Sequence, residues 1–575
     1  MNKLSKNLNE NNKNKLKSFL KIHFNSICAL LLLTTIVSLI TYYRIIVQIE
    51  IGPVSDSVVF LSNALVFAGN GIGYSNLLFP PFFSFIISLF FRLGYVSSST
   101  IFAVDGGLFV FGVIGLFLFL KTRFNDLESF LGGLLYATFT PVLLVLGIGF
   151  SDLASVSFTI WALYFMVLAV KKDSKFFYLA FPFAMFAFLT RYNSGLLIFP
   201  IFLYILINRD KINFKDIFLG ITASILIIIP VLIFFYEKFG NIIYPFTNFV
   251  STSAGVSGTI ESNIAYHPSI FFFIQGFPGF IGVQGIIIML IIGIGVLSYL
   301  LLKFIPKIRD KGYLFDGLSL KNRSTRIKLI AFLILGIIFL ASFGKIFYME
   351  SELLFFAMAY LFYDLTKNRN IKNMDVHIMV FAWFMVFFIF QSVFVIKNGR
   401  YFVMMAPPVA YFMILGLSEI FNKVKFKIIN RNVAFSILAI ILIAIILITT
   451  ATQISNILPS NNDIKIQDEQ VKLASQWFVN YDPNYKNENI YSTLWPNFSW
   501  YLKTDVKMVP IFEAYQTSPD GNRIYILNQA SNNAFNQYLL TNNADYFFCD
   551  IPGLNLTSYT PIKDFGNMTI YKKKT

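Results

Sequence analysis

Asp56 stands in Gly52-Pro-Val-Ser-Asp-Ser, shortly beyond the first long apolar run of the chain. A carboxylate at a membrane surface can take the proton of a hydroxyl acceptor as a general base, or it can cap a helix beginning at Ser57. Asp152, in Gly149-Phe-Ser-Asp-Leu, opens another apolar run, where capping is again the simple reading. Two such carboxylates brought together can hold a divalent cation or orient a base. Arg191, in Thr190-Arg-Tyr192, falls between two short apolar segments and either snorkels to the interface or pairs with an anion. Arg400 and Tyr401 follow Lys397-Asn-Gly and precede Phe-Val-Met-Met-Ala-Pro-Pro. At the outer end of a helix that pair can reach a lipid phosphate or serve as an interfacial anchor.

Other ionisable groups say less. Lys345, Glu350 and Glu352 read as a surface ion-pair set worth little energy. His267 is a single loop histidine, and Asp105, before Gly106-Gly107, reads as lying near the outer interface. His23, His267 and His377 are scattered, and Cys28 is far from Cys549, which excludes a Cys/His zinc cluster and a disulfide framework. No Gly-x-x-x-x-Gly-Lys-Ser/Thr loop and no Gly-rich Rossmann turn occurs. An enzyme working outside would therefore need a donor already there, and a lipid-linked phosphate is the natural carrier. A divalent metal ion is the one candidate cofactor, with Asp152 its candidate ligand.

A membrane bundle must position these groups. The 575 residues are 56% apolar, 18% aromatic and 13% charged, with a mean hydropathy of +0.66. A soluble chain carries about a quarter charged residues, so this one cannot close into water-soluble domains. Net charge is +16, but from Ile454 onward ten basic residues face eleven acidic ones, so an excess of +17 lies among the apolar segments. There it reports topology and not nucleic acid.

A bilayer core about 30 Å thick takes ~20 apolar helical residues. Runs near 25–44, 101–120, 128–148, 153–170, 175–190, 195–208, 217–236, 281–302, 329–344, 352–364, 376–396, 402–421 and 433–453 predict about thirteen spans. The basic stretch Met1–Lys21 precedes an apolar run without a cleavage site, and Tyr42-Tyr43-Arg44 reads as an interfacial anchor, so the first helix is retained. The run Phe79–Gly94 is counted as an interfacial or re-entrant helix. That choice leaves 29 of the 36 basic residues before Ile454 on one side. Residues 1–24 are then a cytoplasmic basic segment, and 25–453 a membrane domain with a first external loop at about 45–100. Residues 454–575 are an external soluble domain. Strand-like runs at Asn489–Thr493, Arg523–Asn528 and Tyr546–Cys549, with a helical stretch near Glu469–Val479, predict a small α/β fold for that tail.

The order of these motifs resembles the GT-C membrane glycosyltransferases, and within them the protein O-mannosyltransferase and aminoarabinose-transferase branch. The resemblance rests on Asp56, Tyr74 and Phe79-Pro-Pro-Phe leading into Phe91-Arg-Leu-Gly94, and on Ser151-Asp152 opening a helix. It rests further on Leu189-Thr-Arg-Tyr192 with Pro200 downstream, and on Gly399-Arg-Tyr401 followed by Pro407-Pro408 and Gly416-Leu417. It covers about 25–421, and the tail only in general form. It implies an inverting transfer from a polyprenyl-phosphate sugar without a covalent enzyme intermediate. Asp56 matches the first-loop acid that serves as base or orients the acceptor, and Asp152 the second-loop acid that in some relatives helps hold a metal. Arg400 with Tyr401, Arg191 and Lys345 would meet the donor phosphate, while Tyr74, His267 and Glu352 are candidate acceptor or donor contacts. Two departures limit the match. Ser57 replaces the second acid of the protein-mannosylating branch, and Trp495-Pro-Asn-Phe-Ser-Trp500 is no Trp-Trp-Asp motif, which disfavours an oligosaccharyltransferase acting on Asn.

The expected architecture is a polytopic α-helical membrane protein of about thirteen GT-C-like spans. It has interfacial helices in the first external loop and a small external α/β C-terminal domain. The expected function is transfer of a lipid-linked sugar to a protein, glycan or lipid acceptor on the outer face of the cell membrane, amid membrane lipids and without nucleic acid. A transporter or flippase for a lipid-linked or small polar substrate is the competing class, and it would line the bilayer midplane with charge.

Overall fold

A computed structural model describes residues 2–54, 56–69, 77–255, 269–309, 323–369, 371–393, 397–423, 430–510, 512, 514–517 and 523–574. A helix that is apolar all round has only lipid or other helices to face. Eight helices among the described residues are long and apolar enough to cross a bilayer: Phe24–Ile51, Ser98–Lys121, Ser151–Lys171, Phe214–Phe239, Phe272–Ser298, Arg323–Ser342, Met374–Val393 and Arg431–Ser460. The chain is a multi-pass membrane protein.

The other five expected spans also fall on helix, but shorter or more polar helix. The run 128–148 is two helices, Asp126–Ala137 and Thr140–Val145. At the break the Thr138 hydroxyl donates back to the Leu134 carbonyl at 2.9 Å, and Pro141 has no N–H to continue the ladder. The helices Phe177–Thr190 and Ile198–Ile207 have 14 and 10 residues, or about 21 and 15 Å of rise. Tyr348–Thr366 has the length, at 19 residues, but carries Glu350, Glu352 and Asp364. Ala406–Lys423 is entered through the 3-10 turn Gly399–Met404. The helix Pro81–Arg92 has 12 residues, about 18 Å and too short to cross. It buries Phe83, Ile87 and Phe91 on one side and exposes Phe85, Leu89 and Phe90 on the other, the pattern of a helix lying in an interface.

The chain divides into two compact units, the first made of Met1–Tyr42, Gly107–Val145 and Asp152–Ile454. In it the helix Phe177–Thr190 packs on Phe214–Phe239, Ile198–Ile207 on Met374–Val393, and Asp126–Ala137 on Ala406–Lys423. Rings fill the gaps, as where Phe111 and Trp161 stack with centroids 4.8 Å apart.

The second unit joins Tyr43–Gly106, Leu146–Ser151 and Ser455–Thr575. Its sheet consists of β1 (Ile490–Ser492), β2 (Lys507–Met508), β5 (Tyr546–Cys549), β6 (Tyr559–Phe565) and β7 (Met568–Lys573), in the order β2-β1-β5-β7-β6. The strands β3 (Ala514–Thr517) and β4 (Arg523–Ile526) form a separate antiparallel pair. β1 lies parallel to β2 and β5, while β7 runs antiparallel to β5 and β6. The all-apolar β5 explains the layering. Tyr546 and Phe548 pack with Val471, Ala474 and Phe478 of the helix Asn462–Tyr481, while Phe547 and Cys549 pack with Phe535 and Leu539 of Gln529–Thr541. Period-two alternation thus buries both faces. The first-loop helix Asp56–Phe67 packs on Pro81–Arg92 and on the tail helix Trp495–Leu502. The Phe91 and Trp500 rings stack, with centroids 6.2 Å apart.

Lys503 ends the helix Trp495–Leu502 in the left-handed region (φ 53°), and its Nζ lies 3.0 Å from the Trp500 ring centroid. Burial pushes its ammonium down to about 7, so the folded chain holds this proton less tightly than the unfolded one. The resulting penalty is fully present below about pH 7 and fades as pH rises toward the ordinary lysine value. Lys503→Asn, a residue type that tolerates positive φ, is expected to raise the apparent unfolding midpoint, followed by tryptophan fluorescence, more at pH ~6 than at pH ~10. An equal gain at both would show that the charge is not the cause.

Candidate functional site

In the first unit two helix ends bring Asp152 and Arg191 together. Asp152 lies in the first turn of Ser151–Lys171, and the helix Phe177–Thr190 stops where Arg191 turns extended (φ −155°, ψ 115°). Arg191 Nη1 is 2.9 Å from Asp152 Oδ1, with 1% of the acid and 17% of the arginine side chain exposed. Arg191 therefore pairs with an acid of the chain itself, and Asp152 does more than cap. The approach is an ion pair by distance without an aligned N–H···O, so both Asp152 oxygens and Arg191 Nε keep hydrogen-bonding capacity. The Tyr192 hydroxyl and Asn193 Oδ1 are also buried, with no hydrogen-bond partner among the described residues. Since buried polar groups are nearly always satisfied, such a run in consecutive residues marks a place for a ligand.

Arg400 and Tyr401 arrive on a capped turn. The Asn398 side chain accepts from the Arg400 N–H at 2.9 Å and caps Gly399–Met404. Gly399 sits so near Phe280 that a Cβ would come within 3.1 Å of its ring. Lys397 Nζ donates to the Gln391 and Ser392 carbonyls at 2.9 and 2.7 Å, tying the turn to the end of Met374–Val393. Burial pushes that ammonium down to about 8. The Tyr401 ring then carries the Arg191 guanidinium at 5.3 Å and that of Arg400 at 5.1 Å from its centroid. A groove of about 670 Å³ is lined by Ser194 and Gly195, just past Arg191, and by Phe181, Phe188, Ile201 and Ile225.

Asp56 belongs to the second unit, where it is the half-buried first residue of Asp56–Phe67. Ser57 Oγ accepts from the Val54 N–H at 2.8 Å and donates to the Val54 carbonyl at 2.7 Å, fixing the turn before it. Upstream, Gly52 (φ 93°) ends the first helix. Its carbonyl accepts from Gln48 Nε2 at 2.7 Å, and Arg44 Nη2 donates to Gln48 Oε1 at 3.0 Å. Arg44 lies in the field of Asp105, whose Oδ2 accepts the Gly149 N–H at 3.2 Å. Arg44 is 1% and Asp105 0% exposed, so both are held inside the protein and not at its surface. Inside the fold the field of Asp105 supports the Arg44 charge, which solvation there cannot do. The i, i+4 spacing of Arg44, Gln48 and Gly52 is the sequence signal that was there to find.

The remaining candidates lie apart. Lys345 is exposed on the turn before Tyr348–Thr366. Glu352 is 0% exposed and both its carboxylate oxygens lack a hydrogen-bond partner among the described residues, so it is no member of a surface ion-pair set. Glu352 shares a helix face with Phe355 and Ala359, which pack with Leu203 and Ile378. Tyr74 and His267 lie outside the described residues. Among the described residues no three His, Cys, Asp or Glu side chains gather to hold a metal ion. The Arg191 guanidinium facing Asp152 offsets its charge, and the free oxygen valences of the acid can accept from hydroxyls.

Residues 79–234 match the family described as dolichyl-phosphate-mannose-protein mannosyltransferase, a stretch that contains Asp152 and Arg191. No curated protein matches in sequence. The fold is similar to that of ArnT from Cupriavidus metallidurans bound to undecaprenyl phosphate, with a TM-score of 0.53 and 11% identity over 94% of this chain and 97% of that one. The apo form of the same protein aligns with a TM-score of 0.52, 11% identity and the same coverage. The archaeal oligosaccharyltransferase AglB from Archaeoglobus fulgidus aligns with a TM-score of 0.47 and 12% identity over 92% of this chain and 70% of that one. The resemblance to GT-C membrane glycosyltransferases read from the motifs thus agrees with the family that residues 79–234 match and with the fold.

Removing one partner of a buried pair leaves the other charge desolvated, at a cost of about 3 kcal/mol or more. Asp152→Asn and Arg191→Met are each expected to lower the apparent thermal midpoint in detergent, and the double variant to lose less than the sum. Strictly additive losses would show that the two charges do not support one another.

Proposed function

We propose that this chain is an inverting glycosyltransferase that moves a sugar from a polyprenyl phosphate to a hydroxyl of a protein, glycan or lipid acceptor at the outer membrane face. The observation that carries the reading is the Tyr401 ring holding the Arg191 and Arg400 guanidiniums beside the buried Asp152. Planar guanidiniums match the oxygens of a phosphate, and in a dry site their pull on a departing charge is strong. The adjoining apolar groove suits the isoprenoid chain. The relative crystallised with undecaprenyl phosphate and the dolichyl-phosphate-mannose description of the matched family support the same donor class.

In this reading Asp56 takes the proton of the acceptor hydroxyl, whose oxygen attacks the anomeric carbon from the face opposite the phosphate. The bond from that carbon to the phosphate oxygen breaks, and its electron pair leaves on the polyprenyl phosphate, met by Arg400 and Arg191. One displacement inverts the anomeric centre and leaves no sugar on the enzyme. Asp152 holds Arg191 in place and has an oxygen to spare for a sugar hydroxyl. The crowding of basic residues into one set of loops supports an inside N-terminus and an outside tail.

The test incubates purified protein with a panel of radiolabelled polyprenyl-phosphate sugars and membrane extract. Wild type is expected to move label to an acceptor, and Asp56→Asn to lose ~10²–10⁴-fold in rate with donor binding intact. Arg400→Ala is expected to weaken binding of the polyprenyl phosphate about tenfold or more, as loss of a charged hydrogen bond does. Transfer by Asp56→Asn at the wild-type rate would remove that residue from the chemistry. No transfer with any donor, in folded protein, would turn the assignment to a transporter, which the buried Glu352 would then serve.

A further inference from the structure

The turn that delivers Asp56 is gripped by the tail. Lys465, in the tail helix Asn462–Tyr481, places its Nζ 2.7 Å from Glu50 Oε1, at the end of the first helix. One turn further on, Asp468 faces Gly52, so closely that a Cβ on Gly52 would collide with the Asp468 carboxylate. Asp468 does not lie there loosely. The Tyr501 hydroxyl is 2.8 Å from each of its oxygens, and Tyr501 belongs to the helix Trp495–Leu502 that packs on Asp56–Phe67. Burial raises the Asp468 carboxyl to about 6, against the pull of Tyr501 and Lys472 and with the push of Glu469. From the other side the same Gly52 is held by the Gln48 amide on its carbonyl.

We propose that Lys465, Asp468 and Tyr501 are positioning residues, by which the tail sets the Glu50–Ser57 turn and so the aim of the Asp56 carboxylate. The tail then completes the setting of the base. The proposal rests on the reading of Asp56 as that base. A misplacement of about 1 Å in a reacting group can cost on the order of 10²-fold in rate. Losing the grip should therefore lower kcat and leave donor binding alone.

Charge reversal tests this in the full chain. Glu50→Lys and Lys465→Glu each put like charges together, and the double variant restores an ion pair of opposite sense. Asp468→Asn and Tyr501→Phe serve as milder probes where a reversal impairs folding. Two quantities are read: amide hydrogen exchange of the peptide spanning 50–60 in detergent, and kcat against donor KM with whichever polyprenyl-phosphate sugar is turned over. Each single reversal is expected to speed exchange at Val54 and Ser57 about tenfold and lower kcat about 10–100-fold at unchanged donor KM, with both restored in the double variant. Unchanged exchange in the single reversals overturns the grip. Faster exchange with unchanged kcat, where Asp56→Asn is inactive, overturns its link to the base. An active Asp56→Asn instead overturns the base itself, and with it the purpose proposed for the grip.

Discussion

The membrane unit turns on the meeting of Asp152 with Arg191. Neither charge can be left alone in an apolar bundle, and the pair places each at a helix end where the chain is already interrupted. Much follows from that interruption. The helix Phe177–Thr190 stops at Arg191, and after the 3-10 turn Tyr192–Leu197 its successor Ile198–Ile207 is only ten residues long. The apolar groove lies among these short helices and Phe214–Phe239. Tyr401 then gathers a second guanidinium onto the same ring. A charge arrangement that would be a liability in a purely structural bundle is kept where polar groups remain unmet, which is where function is expected to lie.

The second unit solves a different problem. Its polar network fixes backbone, running from the Gly149 amide through Asp105, Arg44 and Gln48 to the Gly52 carbonyl. The Arg44–Gln48 and Gln48–Gly52 bonds are local, four residues apart, while Asp105 brings in Gly149 from 44 positions away, so the network stiffens a turn that precedes one conspicuous carboxylate. Around it the α/β layers of the tail are ordinary in construction, with one all-apolar strand buried on both faces.

The sequence was legible where the cause was local. Tyr546–Cys549 reads as a strand because four large apolar residues in a row between turn residues have no better state. Pro81–Arg92 could be kept out of the spans by length and by the balance of basic loops. Asp152, Arg191 and Arg400 could be singled out one by one. Their common ring and ion pair could not, because nothing in a single sequence says which distant helix ends meet. The 128–148 run looked continuous because Thr138 and Pro141 weigh little in a hydropathy window, yet they decide the backbone. Glu352 looked solvated beside Glu350 because burial is set by the helices against its face, which local composition does not reveal. The strands β2, β3, β6 and β7 escaped notice because two residues, or a run that mixes polar with apolar residues, carry little signal.

The Lys465–Glu50 contact also sets a clock. It joins residues 415 positions apart, and chains grow at about 5–20 residues per second, so the tail partner is made roughly 20–80 s after the first loop. Every intervening span must be threaded into the bilayer before the two can meet. The turn before Asp56 is therefore finished last although it is made among the first. A chain truncated, stalled or clipped before the tail would hold a nearly complete set of membrane helices with that turn unfinished. Under the base role proposed for Asp56, transfer is thereby tied to completed biosynthesis.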